Sequence, residues 1–290
     1  MKTYPLTQRM KNDEMITLAK FLAISGIILP MLPNENLIPD INLTPYTVWL
    51  ATVVVSGISY LSYLLRRYVF HESGILVSGI IGGLYSSTAT ISVLARKSRK
   101  APAQEAPEYA AAMLLAVSMM FLRFLILIGI FSKAILAEIY PYLLIMSFVT
   151  AGVAWYLHRK RKPIPVTGEE AEEEDSSNPL EFKVALIFAV LFVIFTIVTH
   201  YTLIYTGTGG LNVLSFIAGL SDITPFILNL LQGSGIAVVV VTACCMQAIV
   251  SNIAVNMCYA LFFAGGKSPL RRWVLRLSLI HISEPHETPE

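Results

Sequence analysis

Eight apolar runs recur along this chain, most of them about the 20 residues that a helix needs to cross a bilayer core of roughly 30 Å. They cover 15–33, 47–69, 74–96, 108–132, 136–157, 183–206, 211–232 and 236–264. A membrane β-barrel would show short alternating segments instead. Charged residues make up 14% of the sequence and hydrophobic ones 55%, with a mean hydropathy of +0.66. A soluble domain has about 25% charged residues. The expected fold class is an all-α polytopic membrane protein, with a single transmembrane domain over residues 1–276. The opening "MKTYPLTQRMKNDE" is polar, so no cleavable signal is expected before the first run.

Two of the runs share a motif. "IIGGLYSSTAT" carries Ile81, Gly83, Leu84 and Thr88, and "FIAGLSDIT" carries Ile217, Gly219, Leu220 and Thr224 at the same spacing. Glycine reaches backbone conformations that other residues avoid, so Gly82–Gly83 and Gly219 are expected to break their helices. Ser86, Ser87 and Thr88 can cap a new helix in the first copy. Asp222 or Thr224 can do so in the second, with Pro225 suited to a first turn. Each run then reads as two half-helices meeting at mid-membrane.

Basic residues beside spans mark the cytoplasmic side. Lys2, Arg9 and Lys11 place the N-terminus there. Eight straight crossings would carry Arg96, Lys97, Arg99 and Lys100 outside. If the third and seventh runs instead enter and leave on one face, Arg66–Arg67, "ARKSRK", "HRKRK" and "KSPLRR" all lie inside. Two inverted repeats follow, about 47–133 and 183–266, each a crossing helix, a re-entrant hairpin and a crossing helix. That plan recurs in secondary transporters. The acidic stretch 159–181, containing "GEEAEEEDSS", reads as a cytoplasmic solvent loop.

Polar residues inside apolar runs are candidates for a site. Asp222 could bind a cation or proton, cap a helix, or pair with Arg123 in the fourth run. Asn252, with Gln247 and Ser251 nearby, is taken as occupying the place in the eighth run that matches Arg123. Gly83, Ser86, Ser87, Thr88, Gly219 and Thr224 complete the candidate ion- or solute-binding set, with Asp222 the candidate for any metal. Tyr85 and Asn229 read as packing residues, and His200 as interfacial. Cys244, Cys245 and Cys258 share one run and read as inert packing thiols. "GTGGLN" at 207–212 reads as an external turn. Nucleotide-binding, esterase, zinc-protease and Cys-x-x-Cys signatures are absent, so neither an enzyme nor a cofactor is expected.

"LPMLP", "GGLYSSTATISVLARKSRK", "AGLSDITPFILNL" and "SNIAVNM" resemble the membrane domain of unknown function that follows an MgtC/SapB-type domain in bacterial and archaeal proteins. The resemblance covers most of residues 8–272. Its hydroxyl-rich stretch falls on Gly83 to Ala89, its Gly-Leu-x-Asp on Gly219 to Asp222 and its asparagine on Asn252. "SDITPF" departs from a more acidic family pattern and leaves Asp222 as the one carboxylate. The resemblance implies a multi-pass protein of a prokaryotic inner membrane, tied by its neighbour to magnesium or cation homeostasis. It implies a missing upstream MgtC-like part. Residues 277–290, "LSLIHISEP" included, resemble a translated sequencing adapter. Two functional classes remain open: a transporter or channel for an ion or small solute, and a regulatory or scaffold domain that binds another membrane protein. The expected partners are the lipid bilayer, an ion or solute and, as an option, a second copy of the chain. Nucleic acid is not among them.

Overall fold

The computed structural model describes residues 12–38, 41, 43–65, 74–159, 182–233 and 235–265. The adapter-like tail, the acidic loop and the basic clusters at 2–11, 66–67, 160–162 and 267–272 lie outside the described residues. Among those described, the chain is helical. The one β interaction is an isolated bridge, Ile38 to Ile41. The helices are α1 (Asn12–Met31), α2 (Pro45–Leu64), α3 (Ile75–Lys100), α4 (Ala106–Phe131), α5 (Lys133–Arg159), α6 (Phe182–Ala218), α7 (Ile223–Gln232) and α8 (Val238–Ala264). Six of them, α2, α3, α4, α5, α6 and α8, are long and apolar enough to cross a membrane. This is a multi-pass α-helical membrane protein.

Local chemistry sets the helix ends. Thr44 opens α2 with a capping box: its hydroxyl accepts the Thr47 N–H at 3.1 Å, and Pro45 fills the first turn. Ser132 separates α4 from α5, and its hydroxyl accepts the Ile135 N–H at 3.4 Å. The chain divides into two compact units. One gathers α1, α2, α6, α7, the adjoining portions of α4 and α5, and α8 as far as Asn252. Within it α2 packs on α1 and α6, and α6 packs on α7. The other holds α3, α4 up to Phe121, α5 from Ile145 and α8 from Ile253. There Ser118 and Ser147 clasp α4 to α5. Their hydroxyls are 2.8 Å apart, and each also donates to the other's carbonyl.

α3 is not one straight span. Its helix breaks at Ser86, which is extended (φ −156°, ψ 107°), into arms 75–85 and 87–100. A Cβ on Gly82 would lie 2.8 Å from Thr90 Cγ2, whereas a straight helix separates residues this far apart by about 12 Å. The two arms are therefore folded against each other. Gly79 packs on Ala112 and Gly83 on Ala116, so the first arm and α4 run in the same direction. Two successive straight crossings would run in opposite directions. The guanidinium of Arg96 lies 4.4 Å from the centre of the Phe263 ring, which brings together the closing ends of α3 and α8.

The second hairpin is built differently. α6 breaks at Gly207, whose φ of 63° and ψ of −153° belong to a region open essentially to glycine alone. The long limb 182–206 is about 37 Å at 1.5 Å per residue, enough to cross, and the arm 208–218 is about 16 Å. The chain turns over 219–222 and returns as α7. The break expected at Gly82–Gly83 thus falls at Ser86, because those glycines stay helical and supply the close contacts. The external turn expected at 207–212 is helical apart from Gly207, which makes the whole reversal.

Candidate functional site

The candidate residues concentrate at the two hairpin apices, one in each unit. At the first apex, Gly83 sits against the α4 backbone. A Cβ there would be 2.5 Å from Ala116 Cα and 2.6 Å from its carbonyl oxygen. Only glycine permits this approach, which brings α4 close beneath the turn. Ser86 closes the turn, its hydroxyl accepting the Ala89 N–H at 3.3 Å. Ser87 is buried and donates to Met120 Sδ at 3.3 Å. Thr88 is half-buried, and its carbonyl accepts the Ser92 hydroxyl at 2.8 Å.

At the second apex, Gly219 occupies the same motif position as Gly83. A Cβ there would be 2.6 Å from the Ala248 carbonyl oxygen and 2.7 Å from Ser251 Oγ. The arm 208–218 runs parallel to α8, as the first arm runs parallel to α4. Ser215 donates to Gln247 Oε1 at 3.0 Å, and Cys244 to Asn212 Oδ1 at 3.5 Å. A helix ending inside a bilayer leaves carbonyls without partners. Here α8 supplies the donors. Ser251 Oγ donates to the Phe216 carbonyl at 2.8 Å. Asn252 Nδ2 donates to the carbonyls of Gly219 at 3.2 Å and Ser221 at 3.3 Å.

Asp222 is the N-cap of α7, its Oδ1 accepting the Thr224 N–H at 3.0 Å. It stands at the motif position of Ser86, so each returning arm starts on an oxygen-bearing cap. Asp222 is exposed, whereas Thr224 and every other residue of 223–231 are buried. A carboxylate at this helix end also faces the positive end of the α7 dipole. Arg123 lies in the middle of α4 and is half-buried. The polar contact described for Asp222 is with its own helix, not with Arg123. By glycine packing, Ala248 on α8 corresponds to Ala116 on α4, so the α4 counterpart of Asn252 is Met120 rather than Arg123.

Other polar residues were not legible as partners. Asn229 on α7 is buried and donates to Thr199 Oγ1 at 2.9 Å and to the Phe195 carbonyl at 3.3 Å. With the Phe195–Phe226 edge contact at 5.5 Å it ties α7 to the long limb of α6. Ser215 is fully buried on the arm–α8 seam. Polar letters within apolar runs were the available signal, and only the fold pairs them. Cys244 and Cys245 are buried and Cys258 is exposed, all without disulfides. Among the described residues no cluster of three His, Cys, Asp or Glu side chains could hold a metal ion.

The chain is 27% identical over 205 residues to an uncharacterized protein of Aquifex aeolicus (strain VF5), a match spanning 67% of this chain and 84% of that one. No solved structure matches the chain. Residues 53–264 match a domain of unknown function (DUF4010), a span that takes in both hairpins and the helices they pack on. The chain therefore belongs to the DUF4010 family.

Proposed function

We propose that this domain is a transporter or channel for an ion or small solute, and that the hairpin apices handle the solute. The observation that carries this reading is Asp222: an exposed carboxylate at the start of a buried half-helix in a membrane protein. α7 has 10 residues and is about 15 Å long, half a bilayer core, so its N-terminus falls near mid-depth. Irregular backbone at that depth is tolerated where it is buried in protein or lines a watery cavity, and an ionisable group there marks a path or a relay. Asp222 would bind a cation or proton, or balance Arg123. Ser86, Ser87, Thr88 and Thr224 would lend oxygens or capped helix ends, and Gly83, Gly219 and Asn252 would hold the turns in shape. The matched motifs and the basic span ends support two inverted repeats, the common plan of such proteins.

The resemblance to a domain that follows MgtC/SapB-type domains extends the proposal to magnesium or cation homeostasis. With it come an upstream MgtC-like partner domain and the inner membrane of a prokaryote, with a cytoplasmic N-terminus. The chain is not proposed to be an enzyme. A second reading, a regulatory or scaffold domain that binds another membrane protein or a second copy, draws on the Ser87, Ser251 and Asn252 side chains, all engaged inside the protein. Flux into proteoliposomes decides between them. Under the transport reading, wild-type protein moves an ion or solute, and Asp222→Asn abolishes or reverses its dependence on pH or cation. Absence of flux across a panel of cations, protons and anions favours the scaffold.

A further inference from the structure

We propose that the closing ends of α3 and α8 form a docking surface for the headgroup of an anionic phospholipid. Arg96, Lys97, Arg99 and Lys100 fall within the last turns of α3. None of the four has an ion-pair partner among the described residues. A charge rule explains why basic residues gather on one face of a membrane. It does not explain why Arg96 stacks on an aromatic ring with Arg99 beside the end of the same helix. Arg96 lies over Phe263 at 4.4 Å, and the Arg99 side chain runs beside Gly265, 3.5 Å from where its Cβ would be. Phe263 packs edge-on to Phe262 at 5.3 Å and near Tyr259 at 6.1 Å. Phe262 is 77% exposed, at the end of a helix long and apolar enough to cross a membrane. Guanidinium groups present planar donors that match phosphate oxygens. Aromatic rings suit the depth at which glycerol and the first methylenes sit. Cations and rings together fit one amphipathic molecule, with its phosphate on Arg96 and Arg99 and its acyl end against Phe262. The charge complementarity selects an anionic lipid over a zwitterionic one. This inference depends on the membrane-spanning fold and not on transport.

The test uses the full chain in detergent micelles doped with dioleoylphosphatidylglycerol or dioleoylphosphatidylcholine. Bound lipid is counted by native mass spectrometry and thermal stability is read by fluorescence. Wild-type protein retains the anionic lipid preferentially and melts higher in its presence. A Lys or Arg near an anionic surface contributes about 1 kcal/mol, so each charge removed weakens retention about fivefold. Arg96→Gln with Arg99→Gln loses the preference while its melting point without added lipid holds. Arg96→Lys keeps the charge but loses the planar stack, and falls between. Lys133→Gln, on a basic residue at the start of α5, leaves the preference intact. Equal retention of the two lipids by wild-type protein overturns the proposal. So does a double variant that keeps the preference, or stabilisation by inorganic phosphate alone equal to that by the lipid.

Discussion

Adding one methyl group at Gly83 tests the packing that holds the first hairpin to α4. The Gly83→Ala Cβ would stand 2.5 Å from Ala116 Cα and 2.6 Å from its carbonyl oxygen. Carbon atoms rest about 3.5–4.0 Å apart, so the arm and α4 must separate by about 1 Å. The neighbours are backbone atoms, which cannot swing aside as a side chain would. Separation would also loosen the Gly79–Ala112 contact one turn away. Overpacking of this kind costs about 1–3 kcal/mol, against a gain of up to about 1 kcal/mol from replacing glycine inside a helix. Gly57, within α2, provides the control because nothing lies within 4 Å of its missing Cβ. Gly57→Ala collects the helix gain without the clash. Thermal unfolding in detergent should therefore place Gly83→Ala about 1–3 kcal/mol below Gly57→Ala, roughly 2–12 °C at about 2–4 °C per kcal/mol. Gly219→Ala, which meets Ala248 and Ser251, should behave like Gly83→Ala. Equal melting points for the Gly57 and Gly83 variants would refute the close-packing argument.

Three further outcomes follow from the second apex and the break in α6. Asp222→Ala removes the α7 cap and should lower stability by about 1 kcal/mol, while Asp222→Asn keeps a capping oxygen and should lower it far less; differential thermal melts read the contrast. Asn252→Leu strips the donor from the Gly219 and Ser221 carbonyls. It should cost about 1–3 kcal/mol if both are left unpaired, and faster hydrogen exchange at 219–224 is the diagnostic. Gly207→Ala forces a side chain into φ 63°, ψ −153° and should cost about 1–3 kcal/mol, seen as a lower melting point with α8 protection unchanged.

Much of the helical layout was legible because lipid allows few alternatives: apolar runs of spanning length became helices, and basic residues stand at their ends. Charge gave reason to expect a turn within 75–100, so that Arg96 to Lys100 return to the face where the run begins, and the arms 75–85 and 87–100 do fold against each other. The hinge itself was not legible. Glycine serves both backbone freedom and close packing, and the letters Gly82–Gly83 do not distinguish them; in the fold they pack, and Ser86 turns. At 207–210 the error ran the other way. Three glycines looked like a loop, yet one positive-φ residue makes the reversal and the rest continue the helix. The caps were readable because Ser86 and Asp222 act within three residues of themselves. Pairings such as Asn252 with Gly219, or Asn229 with Thr199, join distant parts of the chain. They emerge only once the arm is known to run parallel to α8.

The most direct test of the account asks whether the two ends of α3 share a membrane face. Gly74→Cys and Lys100→Cys would be made separately in a chain lacking Cys244, Cys245 and Cys258, and intact cells labelled with a membrane-impermeant maleimide. Lys162→Cys and Asn36→Cys would mark the inner and outer faces. The folded hairpin predicts that positions 74 and 100 behave alike, both protected as position 162 is. Protection of one and labelling of the other would make α3 a straight span and contradict the account.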